Sequence, residues 1–157
     1  MLFRSTLGAT TPTYDLESEP ILVADYSKLT LEEIQHATKQ FTGQIMQTPP
    51  AHSAIKKSGT PAYILARKGK EVKMEPRPVT ISVFEITGIE LPKVHFRVVC
   101  TTGTYIRSLA NDFGSALGCG AYLSELRRTR IGVFNVSDAT SIEAFVEEVN
   151  KLKSASI

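Results

Sequence analysis

Val79-Thr80-Ile81-Ser82-Val83-Phe84-Glu85-Ile86, the Leu91-Pro92 step, and Val94-His95-Phe96-Arg97-Val98-Val99-Cys100 are read first, because the rest of the fold hangs on them. In the last run Val94, Phe96, Val98 and Cys100 alternate strictly, the period of a half-buried strand. In the first run Val79, Ile81 and Val83 alternate, and then Phe84 and Ile86 take the opposite parity. That switch predicts a bulge, or a strand covered on both faces. Two such runs joined by a Pro-containing turn predict a β-hairpin. Directly beyond it, Ile106, Leu109, Ala110, Phe113 and Leu117 recur at helical spacing, and Gly118 supplies the stop.

Working outward, Leu2–Leu7 reads as a strand and Gly8–Pro20 as a loop. Thr30 followed by Glu33 is a capping box, and Leu31, Ile34, Ala37 and Phe41 give its helix one apolar face before Gly43. Pro49-Pro50 imposes extended backbone. Thr60 as N-cap, Pro61 at the first helical position and Gly69 past the end predict a short helix. Pro76 and Pro78 punctuate the approach to the hairpin. Tyr122–Arg130 is expected to be a strand. Thr140 with Glu143 forms a second capping box ahead of Ile142, Phe145, Val146, Val149 and Leu152. Strands and helices mix without a regular βαβ rhythm, so the expected class is α+β.

At 157 residues the chain is long enough for one domain with a real core, and residues 1–157 are expected to form one. Hydrophobic residues make up 42% and charged residues 22%, the profile of a globular protein rather than a disordered tail. No apolar run reaches bilayer length, and residues 1–8 lack the build of a signal peptide, so no membrane partner is expected. Cys100 and Cys119 make no disulfide framework, which points to a reducing, cytoplasmic location. The net charge of +2 hides a division: residues 1–35 sum to −4, residues 36–136 to +8 and residues 137–157 to −2. The densest cations run from Lys56 and Lys57 through Arg67, Lys68, Lys70 and Lys73 to Arg77, with a second knot at Arg127-Arg128-Thr129-Arg130. Such clusters suit a phosphate backbone, and equally a solvated basic face.

Three segments place polar residues where core packing alone would not want them. In Cys100-Thr101-Thr102-Gly103-Thr104-Tyr105-Ile106-Arg107 a strand gives way at once to a helix, whose first N–H groups favour an anion. Tyr105 and Arg107 lie in its first turns, and the Arg107 fork suits a carboxylate or phosphate; pairing with Asp112 or another surface acid is the alternative. Gln47-Thr48-Pro49-Pro50-Ala51-His52-Ser53-Ala54-Ile55-Lys56 is a rigid turn that either presents polar groups to a substrate or simply connects. His52 has no second ligand at metal spacing, so no metal site is expected, and His36 and His95 stand alone. In Gly118-Cys119-Gly120-Ala121-Tyr122-Leu123-Ser124-Glu125-Leu126-Arg127-Arg128, Cys119 lacks an activating base and is expected to be a buried small residue. Leu126 there sets an apolar contact beside paired arginines.

Taken together, these segments resemble the TruB-type tRNA pseudouridine synthases. The matching stretches are Leu7-Gly8-Ala9-Thr10-Thr11-Pro12 through Asp15, Phe41-Thr42-Gly43 through Gln47-Thr48-Pro49-Pro50, and Ser53-Ala54-Ile55-Lys56. Gly59, Tyr63, Ala66-Arg67 and Gly69 follow. Gly103-Thr104-Tyr105-Ile106-Arg107 and Leu117-Gly118-Cys119-Gly120-Ala121 with Leu126-Arg127-Arg128 are the most specific, all in the family's order from Leu7 to Phe134. The resemblance implies a mixed, mostly antiparallel sheet flanked by helices. It also implies a cofactor-free isomerase that extrudes the T-loop uridine of tRNA (position 55) and converts it to pseudouridine.

By that resemblance Arg107 pairs with a catalytic aspartate, Tyr105 lines the uracil pocket and Leu126 packs against the base. Lys56, Arg67, Arg127 and Arg128 then face RNA, and Asp15 is an acid of a substrate-side loop. The family's Gly-Thr-Leu-Asp-Pro-like motif falls ahead of Met1, and none of Asp15, Asp25, Asp112 and Asp138 stands in that context. The chain is therefore expected to be the C-terminal part of the catalytic domain, without a separate RNA-binding domain after it, and inactive alone. Without that aspartate, Arg107 is expected to leave a positive hole where the carboxylate belongs. The missing N-terminal portion is a candidate partner beside the T-arm, as is a second copy through an exposed sheet edge. A non-catalytic RNA-binding or RNA-folding module, or an inactive remnant, is the alternative function.

Overall fold

The computed structural model describes residues 1–57 and 59–155. In chain order the elements are β1 (Leu2–Leu7), β2 (Ala9–Thr10), β3 (Ile21–Leu22), α1 (Leu31–Ala37), β4 (Gly43–Gln47), β5 (Lys56–Lys57), β6 (Thr60–Pro61) and α2 (Ala62–Arg67). Then come β7 (Arg77–Glu90), β8 (Lys93–Cys100), α3 (Ile106–Ala116), β9 (Ala121–Arg127), β10 (Arg130–Ile131), β11 (Phe134–Asn135) and α4 (Ile142–Ala155). The class is α+β, as expected, with a five-stranded antiparallel sheet in the order β4-β7-β8-β1-β9.

The predicted hairpin β7–β8 is the middle of this sheet. Its register slips between Ile81 and Val83, which is the bulge that the change of parity announced. Because of it, Ile81 and Phe84 are both buried although they sit three positions apart. Phe84 stacks on Phe96, with ring centroids 5.0 Å apart, and Phe96 stacks on Phe3 of β1 at 4.7 Å. Phe113 of α3 meets Phe96 edge-on at 5.1 Å, and Phe41 meets Phe84 in the same manner at 6.1 Å. Ile34 and Ala37 of α1 and Ile106, Leu109 and Ala110 of α3 complete the same core. One aromatic seam thus joins sheet to helices, in the offset and edge-on geometries that aromatic quadrupoles favour.

Several boundaries differ from the sequence expectation, each for a local reason. The Thr30–Glu33 capping box is present, but α1 stops at Ala37 and tightens into a 3₁₀ turn over Thr38–Phe41; Gly43 opens β4 instead of closing the helix. Thr60 and Pro61 do not start α2. They pair with Lys57 and Lys56, and the Ala62 N–H is taken by the Ile55 carbonyl at 2.8 Å, so the helix begins at Ala62. The Gly8–Pro20 loop contains β2, which pairs with β3. β9 ends at Arg127, short of Arg130, and α4 is capped by Ser141, whose hydroxyl accepts from the Ala144 N–H at 3.2 Å.

Met1–Arg127 make one compact unit and Arg128–Ile157 a second. Within the second, β10 pairs with β11 (Arg130 opposite Asn135, Ile131 opposite Phe134) and α4 carries the apolar stripe of Ile142, Phe145 and Val146. No helix among the described residues is long and apolar enough to cross a membrane.

Candidate nucleobase and RNA site

Three chain segments converge where β8 hands over to α3. Arg107 occupies the first turn of that helix, and its side chain is about four-fifths buried. Its Nη1 pairs with Asp15 Oδ2 at 3.0 Å and also donates to the Thr13 carbonyl at 3.4 Å, while Nη2 donates to the His52 carbonyl at 2.9 Å. One guanidinium therefore ties the Thr11–Glu17 loop and the Pro49–Ser53 turn to α3. Arg107 is thus not left unpaired: its carboxylate partner is Asp15, and neither Asp112 nor a solvent-exposed acid. A charged guanidinium held this far out of water needs acceptors along its fork, and here two carbonyls and a carboxylate supply them.

The Asp15 loop is built to hold that carboxylate in place. Oδ1 accepts from the Glu17 N–H at 3.0 Å, and the Asp15 carbonyl accepts from the Thr11 hydroxyl at 2.7 Å. Tyr14, just before it, takes φ +64°, a costly backbone region for a non-glycine residue. Hydrogen bonds at both of its peptide groups enforce that conformation, from Tyr14 N–H to the Thr11 carbonyl at 3.1 Å and from Leu123 N–H to the Tyr14 carbonyl at 2.9 Å. Asp112 lies in α3 with its carboxyl pushed up by burial, against a smaller lowering by the Asn111 amide. Burial also raises the Tyr14 phenol, helped by the Asp112 charge.

Tyr105 stands at the N-cap position of α3, half-buried, and no side chain caps the helix there. Its peptide is gripped instead by Gln47, whose Oε1 accepts from the Tyr105 N–H at 2.8 Å and whose Nε2 donates to the Tyr105 carbonyl at 3.0 Å. Arg77 covers the Tyr105 ring, with Cζ 5.2 Å from its centroid. The Ser108 hydroxyl donates to the Thr48 carbonyl at 2.8 Å. Gln47 opens the Gln47–Lys56 turn and Arg77 ends the basic run, but neither stood out in the sequence as a site residue, because their partner lies far along the chain.

The other candidates lie on the surface. Leu126 is 47% exposed on β9, opposite Phe3. Lys56, in β5, is exposed, and Arg67 extends over the Tyr63 ring at 5.6 Å. Arg127 is exposed at the end of β9, and Arg128 is exposed in the second unit. Cys119 is buried, and that burial pushes its thiol up, away from the thiolate form that reacts. His52 Nδ1 and Ser53 Oγ are buried without a partner in the turn beside Arg107. Among the described residues no group of three His, Cys, Asp or Glu side chains is placed to hold a metal. A hollow of about 510 Å³ between α1 and the end of α3 is lined by none of the site residues.

Comparison with known proteins extends this geometry. Residues 2–106 match the model of the TruB family pseudouridylate synthase N-terminal domain, and residues 107–155 match that of the tRNA pseudouridylate synthase B C-terminal domain. The tRNA pseudouridine synthase B of Flavobacterium johnsoniae is 49% identical over 143 residues, which cover 91% of this chain and 62% of that protein. The protein of the same name from Chloroherpeton thalassium is 46% identical over 150 residues, 95% of this chain and 62% of its own. The chain thus spans about three-fifths of the length of these relatives. A crystal structure of a Cbf5–Nop10–Gar1 complex superposes with a TM-score of 0.70 at 29% identity, over 99% of this chain and 37% of that one. From the family models, the shared architecture and the order of its motifs, the chain belongs to the TruB family of pseudouridylate synthases.

Proposed function

We propose that this chain supplies the uracil-facing and RNA-facing part of a tRNA pseudouridine synthase that acts on the T-loop uridine at position 55. The observation that carries the reading is the fixed Arg107 guanidinium at the start of α3, beside Tyr105, with a carboxylate already held on it. In pseudouridine formation the bond from C1′ to N1 breaks, the uracil turns, C5 bonds to C1′, the C5 proton leaves to solvent and N1 takes up a proton in its place. A protein that does this needs a pocket for an extruded base, a carboxylate of defined orientation and a grip on the RNA. In this reading Arg107 orients carboxylates, Tyr105 and Leu126 line the base pocket, and Lys56, Arg67, Arg127 and Arg128 meet phosphates. No cofactor enters the chemistry.

Asp15 is not the nucleophile in this reading. Both of its carboxylate oxygens are engaged, one by Arg107 and one by the Glu17 N–H, which leaves it a positioning acid. Asp25, Asp112 and Asp138 stand outside the family's aspartate context as well. The 157 residues alone therefore bind the T-arm without turning it over, and the reacting carboxylate comes from another polypeptide segment. A cytoplasmic location follows from tRNA as substrate.

The test is tritium release from tRNA labelled at uracil C5. With this chain in stoichiometric excess, release stays at the protein-free level while tRNA remains bound. Addition of a polypeptide that carries a Gly-Thr-Leu-Asp-Pro-like motif restores release. Release by the chain alone would overturn the assignment of Asp15, and silence of the mixture would overturn the synthase reading in favour of a non-catalytic RNA-binding module.

A further inference from the structure

Gln47 and Arg77 face each other directly across the β4–β7 ladder, at the end of the sheet where β8 gives way to α3. Both side chains reach to the same short segment. Gln47 is 1% exposed and closes on the Tyr105 peptide with two hydrogen bonds, as a neighbouring strand would. Arg77 donates from Nη2 to the Gly103 carbonyl at 2.6 Å and lays its guanidinium over the Tyr105 ring. Gly103 itself sits at φ +84°, so its turn is one that only a residue without Cβ adopts at no cost. Thr80 and Thr101 add two more bonds behind it, from Thr80 N–H to the Thr101 hydroxyl at 3.0 Å and from Thr101 N–H to the Thr80 carbonyl at 2.9 Å.

Gln47 holds the main chain of Tyr105 through both of its amide atoms. The Arg77 guanidinium does something further: it bonds the Gly103 carbonyl while its Cζ lies over the tyrosine ring, two contacts at once that the single ammonium of a lysine does not reproduce. A cation over one face of the ring favours one ring orientation and directs a stacking partner to the other face. We propose that Gln47 and Arg77 are positioning residues for base recognition, which present a single face of Tyr105 to the extruded uracil. The proposal rests on the reading above, in which Tyr105 lines the uracil pocket. Gln47 sets where the tyrosine begins, and Arg77 sets how its ring stands.

The experiment compares the affinity of the chain for two RNAs, a T-arm stem-loop with uridine at the target position and the same stem-loop with an abasic residue there. Wild type prefers the uridine loop. Arg77→Met and Arg77→Lys lose that preference by roughly tenfold, the size of a base–aromatic contact, and bind the abasic loop as before. The Tyr105 ring resonances in tyrosine-labelled NMR spectra shift in both variants, while thermal unfolding reports an intact fold. Gln47→Glu gives the same loss, since its second oxygen then opposes the Tyr105 carbonyl; the Arg77 variants decide the matter if it does not fold. Equal weakening on both loops would make Arg77 a phosphate contact and overturn the proposal. Retention of the preference by both Arg77 variants would overturn it too, with the base-pocket reading intact. A wild type that does not distinguish the two loops would overturn the base-pocket reading itself.

Discussion

Arg107 and Asp112 share one helix, and the obvious pairing between them does not form. Arg107 turns to Asp15 and two carbonyls, and leaves Asp112 in a partly buried setting with the Asn111 amide as its hydrogen-bond donor. Burial penalises the charged carboxylate, and the Asn111 bond offsets only part of that, so its pKa is raised. The sign follows from linkage. The folded form binds the Asp112 proton more tightly than the unfolded chain does, so the group favours folding in acid. That advantage is lost as pH rises from the ordinary aspartate value through the raised one. At pH 7 the burial of this carboxylate works against folding. Asp112→Asn keeps the shape and removes the charge, so its thermal midpoint at pH 7 should rise by a few degrees. The gain should vanish below about pH 4, where aspartate in the unfolded chain is protonated as well. Thermal scans at the two pH values check this, and a lowered midpoint at pH 7 would show that the Asp112 charge serves an attraction instead.

α3 approaches β9 as closely as it does because Gly114 has no side chain. A Cβ there would overlap the Ala121 main chain and side chain and the Gly120 carbonyl carbon, all of them unable to swing aside. The Gly114 carbonyl also accepts from the Gly120 N–H at 3.0 Å, so the two backbones are tied. Gly→Ala ordinarily strengthens a helix by about 1 kcal/mol. Here overpacking should win, and Gly114→Ala should lose about 1–3 kcal/mol in denaturant unfolding. Such close approaches are hard to foresee, whereas periodic burial is not. The β7–β8 hairpin, its bulge, β1 and α3 were all legible because apolar residues mark one face over many positions. The two-residue ladders β2–β3 and β5–β6 carry no period, and the start of α2 is set by a hydrogen bond from Ala62 to Ile55. The site divides in the same manner. Tyr105 and Arg107 stood out as polar residues at a strand-to-helix junction. Asp15 lies 92 positions from Arg107, and Gln47 lies 58 from Tyr105, pairings that only the folded sheet creates.

Charge is what the chain offers a polyanion before any pocket is reached. Residues 36–136 sum to +8 between acidic flanks, and Lys56, Arg67, Arg127 and Arg128 are all exposed. Arg107 belongs to the same count, yet its side chain is about four-fifths buried and three of its five N–H groups already donate to protein oxygens, so it is not placed to neutralise a backbone phosphate. Exposed and committed cations therefore leave different signatures. A cation that neutralises a phosphate releases counterions, and each such contact adds roughly one unit to the slope of log affinity against log salt. Lys56→Ala and Arg127→Ala should each lower that slope for tRNA by about one and weaken unrelated RNA hairpins to the same extent. Arg107→Met should leave the slope unchanged and erode only the preference for a T-arm over such hairpins, because it releases the Asp15 loop and not a phosphate. Binding isotherms across a salt series separate the two. If the Lys56 and Arg127 variants lost affinity at constant slope, these side chains would act through the fold, and the basic centre of the chain would be a solvated face.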